Sequence, residues 1–170
     1  CFPEECVVEL KKQDGDQILP GEIIGLIKGQ TQSILTRERV MLNLIQRLCG
    51  IATTTASFTG LAKPKNVKIL DTRKTTPGLR MFEKYAVKCG GGWNHRSDLS
   101  SGILIKDNHL QASGSVQKAV QKLKKTQLKL PIELEVETLT QIEEGLKIDV
   151  DGFLLDNMTP EKTKIAVKMI

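Results

Sequence analysis

Aromatic residues make up only 4% of this 170-residue chain, with one tryptophan, one tyrosine and four phenylalanines. Stacking platforms for unpaired bases are therefore scarce, which argues against single-stranded nucleic acid as a ligand. No apolar run approaches the ~18 residues of a membrane span, so no membrane partner is expected. Residues 1–12 mix charges and contain no apolar core of a secretory signal; a cytoplasmic protein is expected. The four cysteines, Cys1, Cys6, Cys49 and Cys89, match no zinc spacing. A disulfide framework is not expected in a chain with this much core, and small buried or semi-exposed thiols are. There is no Walker loop, no GxGxxG fingerprint and no Ser/His/Asp arrangement. The chain opens with cysteine, just before an apolar stretch at Cys6-Val7-Val8-Glu9-Leu10, so its natural start is expected to lie elsewhere.

What is present is ordinary globular material, 39% hydrophobic and 26% charged, with enough apolar residues for a core. The formal charge of +5 points to anionic partners: nucleic acid, phosphorylated metabolites or acidic lipid surfaces. Nucleic acid is the weaker case, given the few aromatics. The densest lysine cluster, residues 122–125, falls on a helical pattern and reads as a solvated face.

Residues 1–30 read as β structure. Val7, Glu9 and Lys11 alternate with Val8 and Leu10, and Gln13-Asp14-Gly15-Asp16 and Pro20-Gly21 are turn signals before an apolar run at 22–27. A long helix is expected over 36–62, since Val40, Met41, Leu44, Ile45, Leu48, Ile51 and Ala52 recur at helical spacing. Thr36 is its expected cap, and Arg39 and Arg47 lie off the apolar stripe. Gly50 and the run Thr53-Thr54-Thr55 weigh against one unbroken helix.

From residue 66 the pattern alternates. Strands are expected at 67–70, 103–105, 132–136 and 153–155. Helix faces are marked by Leu79, Phe82, Ala86 and Cys89, then by Val116, Ala119, Val120 and Leu123, then by Leu139, Ile142 and Leu146. Ser115 is a cap, Thr138 with Gln141 a capping box, and Thr159-Pro160-Glu161 opens a last helix. Such alternation implies a parallel sheet, either open or closed as a barrel. A complete (β/α)₈ barrel takes ~250 residues, so a closed one would need further strands. The expected organisation is a partial N-terminal domain over 1–65 and a catalytic α/β domain over 66–170.

Several strands end in polar residues: 67–70 runs into Asp71-Thr72-Arg73-Lys74, 103–105 into Lys106-Asp107-Asn108-His109, and 153–155 into Asp156-Asn157, while Glu135 sits near the end of its strand. Active sites of parallel α/β folds form at the carboxyl ends of strands. The bland alternative is surface loops that are polar because loops are, or internal salt bridges among the same groups. Arg73, Lys74, Arg96 and Lys106 suit carboxylate or phosphate. Glu135 and Asp156 among so many cations suggest Mg²⁺, which takes one or two protein carboxylates plus substrate phosphates. Gly90-Gly91-Gly92 before His95-Arg96 reads as an anion-binding loop or a plain turn, and His109 as structural.

The motifs Glu38-Arg39-Val40-Met41-Leu42-Asn43, Gly50-Ile51-Ala52-Thr53, Asp71-Thr72-Arg73-Lys74-Thr75-Thr76-Pro77-Gly78-Leu79-Arg80, Lys84-Tyr85-Ala86-Val87, Asn94-His95-Arg96, Leu104-Ile105-Lys106-Asp107-Asn108-His109 and Leu154-Leu155-Asp156-Asn157 together resemble the quinolinate phosphoribosyltransferases. The resemblance covers essentially the whole chain. It implies an N-terminal α/β sandwich domain followed by an incomplete α/β barrel. It also implies quinolinate and phosphoribosyl pyrophosphate as substrates, Mg²⁺ as cofactor, and homodimers or assemblies of dimers sharing each site. By the same resemblance, Arg39 would reach from a neighbouring subunit to a quinolinate carboxylate, and Arg73, His95 and Arg96 would bind the dicarboxylate. Lys74 and Lys106 would lie between the two substrates, and Glu135 and Asp156 would serve the ribose hydroxyls and the metal. The family's first elements and its last, phosphate-binding strands have no counterpart here, so either a molecule of these residues alone is expected to be inactive or the chain is expected to be an excerpt of a longer one. A scaffold fragment without chemistry and a basic nucleic-acid-binding domain are the competing readings.

Overall fold

The computed structural model describes residues 6–96, 98, 100, 102–125, 130–148 and 150–170. The chain divides into two compact units, Cys1–Ser97 and Asp98–Ile170. Cys1 lies outside the described residues. Cys6, Cys49 and Cys89 are free thiols, exposed or half-buried.

In the first unit, strands β1 (Val7–Leu10) and β2 (Gly25–Lys28) form an antiparallel ribbon with Val7 opposite Lys28. The turn signal is met locally: the Gln13 N–H donates to Asp16 Oδ2 at 2.8 Å and Gly15 takes φ +95°. Helix α1 (Thr31–Leu35) precedes the long helix α2 (Glu38–Ala62). Thr36 does not cap α2. It stands at the C-terminal end of α1, where its hydroxyl donates to the Gln32 carbonyl at 2.8 Å, and the α2 cap position is Arg37. The short helix takes the hydroxyl first because its own last carbonyls need donors. The threonine run does not break α2. Thr55 turns its hydroxyl back to the Ile51 carbonyl at 2.8 Å and is buried within the unbroken helix, a bond that helices tolerate at slight cost.

A 3₁₀ turn at Lys63–Lys65 ends on Asn66, which is left-handed at φ +55°. The strand expected at 67–70 is reduced to a single parallel bridge between Leu70 and Trp93. Its bonds run from Trp93 N–H to the Ile69 carbonyl (2.8 Å) and from Asp71 N–H to the Trp93 carbonyl (3.0 Å). A strand needs a ladder, and among the described residues Trp93 alone pairs with this segment, so pairing stops after one rung.

Helix α3 (Arg80–Cys89) forms where its spacing predicts, and of the expected face Ala86 is buried and Leu79 and Cys89 are half-buried, but Phe82 is not. Phe82 is exposed, while Glu83, Lys84, Ala86 and Gly90 are buried. The cause is close packing of α3 on α2. A Cβ added at Gly90 would overlap the Ala52 carbonyl oxygen and stand 2.7 Å from Thr55 Cβ; one at Gly92 would stand 2.7 Å from Val87 Cγ1 and 2.8 Å from Thr55 Cγ2. The glycine run thus has a packing role, and Thr59 Oγ1 donates to the Gly90 carbonyl at 3.0 Å.

The second unit is built on parallel strands β3 (Ile103–Ile105), β4 (Ile132–Val136) and β5 (Gly152–Leu155), ordered β3-β4-β5. Helices α4 (Asp107–Ser113), α5 (Val116–Lys124), α6 (Leu139–Leu146) and α7 (Pro160–Met169) complete it. Three helices start as their caps predict. Ser115 accepts from Lys118 N–H, Thr138 and Gln141 form the capping box, and Thr159 accepts from Lys162 N–H ahead of Pro160. Helix α4 has no apolar stripe to announce it; here His109 Nδ1 accepts the Lys106 N–H at 3.0 Å and closes the first turn. Ile105, Ile132, Leu134, Val136, Val120, Ile142 and Ala166 form the core. Gly145 lets α6 approach the Phe153 ring, which an added Cβ would overlap. The whole is a mixed α/β protein with a parallel three-stranded sheet and a separate antiparallel ribbon.

Candidate active site

In β4 the side chains alternate. Ile132, Leu134 and Val136 are buried in the core, so Glu133 and Glu135 belong to the opposite face of the sheet. Register sets Ile105 beside Leu134 and Val136 beside Leu155. Lys106 and Asp156, the residues just past β3 and β5, therefore share one edge with Glu135. Lys106 Nζ lies 2.7 Å from Glu135 Oε2. The lysine side chain keeps 43% of its surface exposed against 12% for the glutamate. The ammonium thus has donors left for a ligand while the carboxylate anchors it. Asp156 is fixed by its own N–H, which donates to the Val136 carbonyl at 2.9 Å. Asn157, left-handed at φ +52°, donates to Asp156 Oδ2 (3.1 Å) and to Glu137 Oε1 (3.3 Å).

In the first unit, the bridge at Leu70 and Trp93 joins the segment carrying Arg73 and Lys74 to the segment carrying His95 and Arg96. Asp71 is the hub: it accepts from the buried Lys84 ammonium, from the His95 backbone N–H at 2.9 Å and, with the Asn94 amide turned so that its nitrogen faces the carboxylate, from that side chain at 3.0 Å. The side chains of Arg73, Lys74 and Arg39 have no hydrogen-bond or ion-pair partner among the described residues. Arg39 lies exposed on the first turn of α2.

A second clamp steadies the same loop. Glu83 accepts from Arg47 Nε at 2.8 Å and Nη2 at 2.6 Å, and from the Thr76 N–H at 3.2 Å, while Arg47 also reaches the Thr76 hydroxyl. Burial opposes the charge on Glu83, but these bonds outweigh it and hold its carboxyl below the usual range. Arg80 Nε donates to Thr75 Oγ1 at 3.1 Å. Single-sequence reasoning passes over Asp71, Lys84, Arg47 and Glu83 as site residues. The available signal was the adjacent charged pair Glu83-Lys84 between the apolar positions of α3, which only burial with partners makes tolerable.

Taken unit by unit, these features define an α/β protein: the second unit carries a lysine–carboxylate edge on a parallel sheet, and the first carries Arg73, Lys74 and Arg39, unpaired among the described residues. Two family descriptions match: the quinolinate phosphoribosyl transferase N-terminal domain over residues 1–49 and its C-terminal domain over 51–170. The chain belongs to the quinolinate phosphoribosyl transferase family. It is 46% identical over 161 residues to the probable carboxylating nicotinate-nucleotide pyrophosphorylase of Bacillus subtilis, covering 94% of this chain and 56% of that protein. It is 41% identical over 161 residues to the decarboxylating quinolinate phosphoribosyltransferase 1b of Nicotiana tabacum, covering 89% of this chain and 45% of that one. The nicotinate-nucleotide pyrophosphorylase structure from Ehrlichia chaffeensis superposes with a TM-score of 0.93 at 42% identity, over 98% of this chain and 61% of that chain. The chain thus spans about half to three fifths of the length of these relatives. Among the described residues no helix is long and apolar enough to cross a membrane.

Proposed function

We propose that the protein carrying this chain transfers the phosphoribosyl group of phosphoribosyl pyrophosphate to quinolinate, releasing pyrophosphate and CO₂ and yielding nicotinate mononucleotide for NAD biosynthesis. The observation that carries the reading is the family match over both segments of the chain, with Lys106, Glu135 and Asp156 on one sheet edge. The quinolinate nitrogen attacks the anomeric carbon as the bond to the pyrophosphate oxygen breaks. Lys74 and Lys106 would offset the leaving group's charge, and Glu135 would face the cation-like ribose carbon. Arg73, His95 and Arg96, with Arg39 from a second subunit, would hold the two carboxylates. Their main contribution is alignment of two anions. The attached ring nitrogen is positive, so it stabilises the electron pair left on the ring carbon when the adjacent carboxylate leaves as CO₂; a proton then bonds to that pair.

Glu135 and Asp156 fit a divalent ion, being hard carboxylates at one edge that leave room for substrate phosphates and water. Bound there, Mg²⁺ would neutralise the pyrophosphate. In this reading residues 1–65 belong to a sandwich domain and 66–170 to an incomplete α/β barrel of which β3, β4 and β5 are consecutive strands. The protein works in the cytoplasm as a homodimer or an assembly of dimers.

The test is chromatographic detection of nicotinate mononucleotide from quinolinate, phosphoribosyl pyrophosphate and Mg²⁺ with the complete gene product. Lys106→Met should lower turnover by about 100-fold, the scale of losing one group that stabilises developing charge. Absence of product from the folded wild type sinks the substrate assignment. Full turnover in Arg73→Ala sinks that residue's role.

A further inference from the structure

Asp71 and Lys84 have side chains only 6% and 5% exposed. Neither is among the residues assigned a substrate role above. Burying a charged pair is expensive, and a simple packing position would be filled better by apolar side chains. What the pair adds is geometry. The segments 71–74 and 93–96 meet through one β-bridge, at Leu70 and Trp93. One rung leaves them free to swivel about each other. Asp71 supplies a second fixed point just beyond it. Oδ1 accepts the His95 backbone N–H at 2.9 Å, leaving the imidazole unspent by this bond, and Oδ2 accepts the Asn94 amide at 3.0 Å. Lys84, from α3, neutralises the carboxylate. Asp71 therefore does not draw in the Arg73 or Lys74 side chains, which stay unpaired among the described residues.

We propose that Asp71, with Lys84 as its buried counter-ion, is a positioning residue that sets the spacing between Arg73-Lys74 and His95-Arg96, and thereby the fit of an aromatic dicarboxylate. The proposal rests on the quinolinate reading for its ligand but not for its geometry.

The experiment uses the complete gene product, with Asp71→Leu/Lys84→Met as an apolar replacement of similar volume and Asp71→Asn as a milder second variant should the first not fold. Two readouts are taken: hydrogen exchange at the His95 amide by NMR, and steady-state constants for each substrate. Expected are loss of His95 protection and a KM for quinolinate raised by about 100-fold, the scale of a misplacement of about 1 Å. The KM for phosphoribosyl pyrophosphate should stay within about twofold, and a raised KM for quinolinate with kcat little changed marks lost binding of that substrate in ground and transition state alike. A merely structural role would instead reduce the active fraction and leave both KM values unchanged. That outcome, unchanged His95 protection, or a normal quinolinate KM despite lost protection would each overturn the proposal. If the wild type turns over no quinolinate, the functional reading fails, and the positioning role is then decided by the His95 amide alone.

Discussion

The close approach of α3 to α2 makes Gly90→Ala a sharp perturbation. Gly90 has φ −77° and ψ 6°, a conformation alanine adopts without strain, so any effect is steric. The new Cβ would overlap the Ala52 carbonyl oxygen and stand 2.7 Å from Thr55 Cβ and 3.1 Å from the Ala56 nitrogen. Two of these three atoms belong to the backbone of a 25-residue helix, which cannot yield locally. Reaching the ordinary 3.4 Å separation from Thr55 means moving the end of α3 away, which also stretches the 3.0 Å bond from Thr59 to Gly90. Overpacking of this kind costs about 1–3 kcal/mol. With a urea dependence of about 1–3 kcal/mol per molar, the midpoint should fall by roughly 1 M. Trp93 is the only tryptophan and lies three residues away, so its fluorescence reports this unit. Gly60→Ala is the control: it lies in α2, against which Gly90 packs, with nothing within 4 Å of the added Cβ, and should stabilise by up to about 1 kcal/mol, the difference between glycine and alanine in a helix. Equal midpoints for wild type and Gly90→Ala would refute the packing argument.

Tyr85 is the only tyrosine, and its hydroxyl donates to Asp14 Oδ2 at 2.6 Å. That bond and the aspartate's charge push its pKa up to about 12. Ultraviolet titration of the phenolate should show this value in the wild type and about 10 in Asp14→Ala. Because the folded value is the raised one, the bond's stability is complete below pH about 10 and is lost as pH rises towards 12. An unshifted wild-type curve removes the Asp14 tie. For Glu83 the sign is opposite. Its pKa is lowered, so its stability is present above about pH 4.3, the unfolded value, and is lost as pH falls through the folded one. Denaturant midpoints should therefore separate wild type from Glu83→Gln at pH 7 and converge in acid; parallel curves across that range would deny the Arg47 clamp.

Local signals were legible. Ser115, Thr138 with Gln141, and Thr159 with Pro160 start helices in the structure as their side chains predict, because a cap involves partners within three residues. The apolar runs at 103–105, 132–136 and 153–155 are strands for a similar reason: each is short, β-branched or aromatic, and fenced by polar residues. The misses share a cause. Residues 67–70 have strand composition, yet pairing needs neighbours in line, and among the described residues Trp93 alone pairs with them. Thr36 has a capping side chain but serves the helix before it. On α3 the expected face of Leu79, Phe82, Ala86 and Cys89 holds at Ala86, which is buried, but fails at Phe82, which is exposed, because contact with α2 at Gly90 turns the buried side towards Glu83 and Lys84.

The candidate site divides along the same line. The residue types alone show a cation-rich, acid-containing set at strand ends. Which acid meets which cation is another matter. Lys106 pairs with Glu135 across 29 positions and Lys84 with Asp71 across 13. Charge–charge energy depends on distance in space and on exclusion of water, and no spacing along a chain encodes either. Composition and periodicity determined most of the elements. Tertiary packing decided which cations are consumed inside the protein and which are left without a partner.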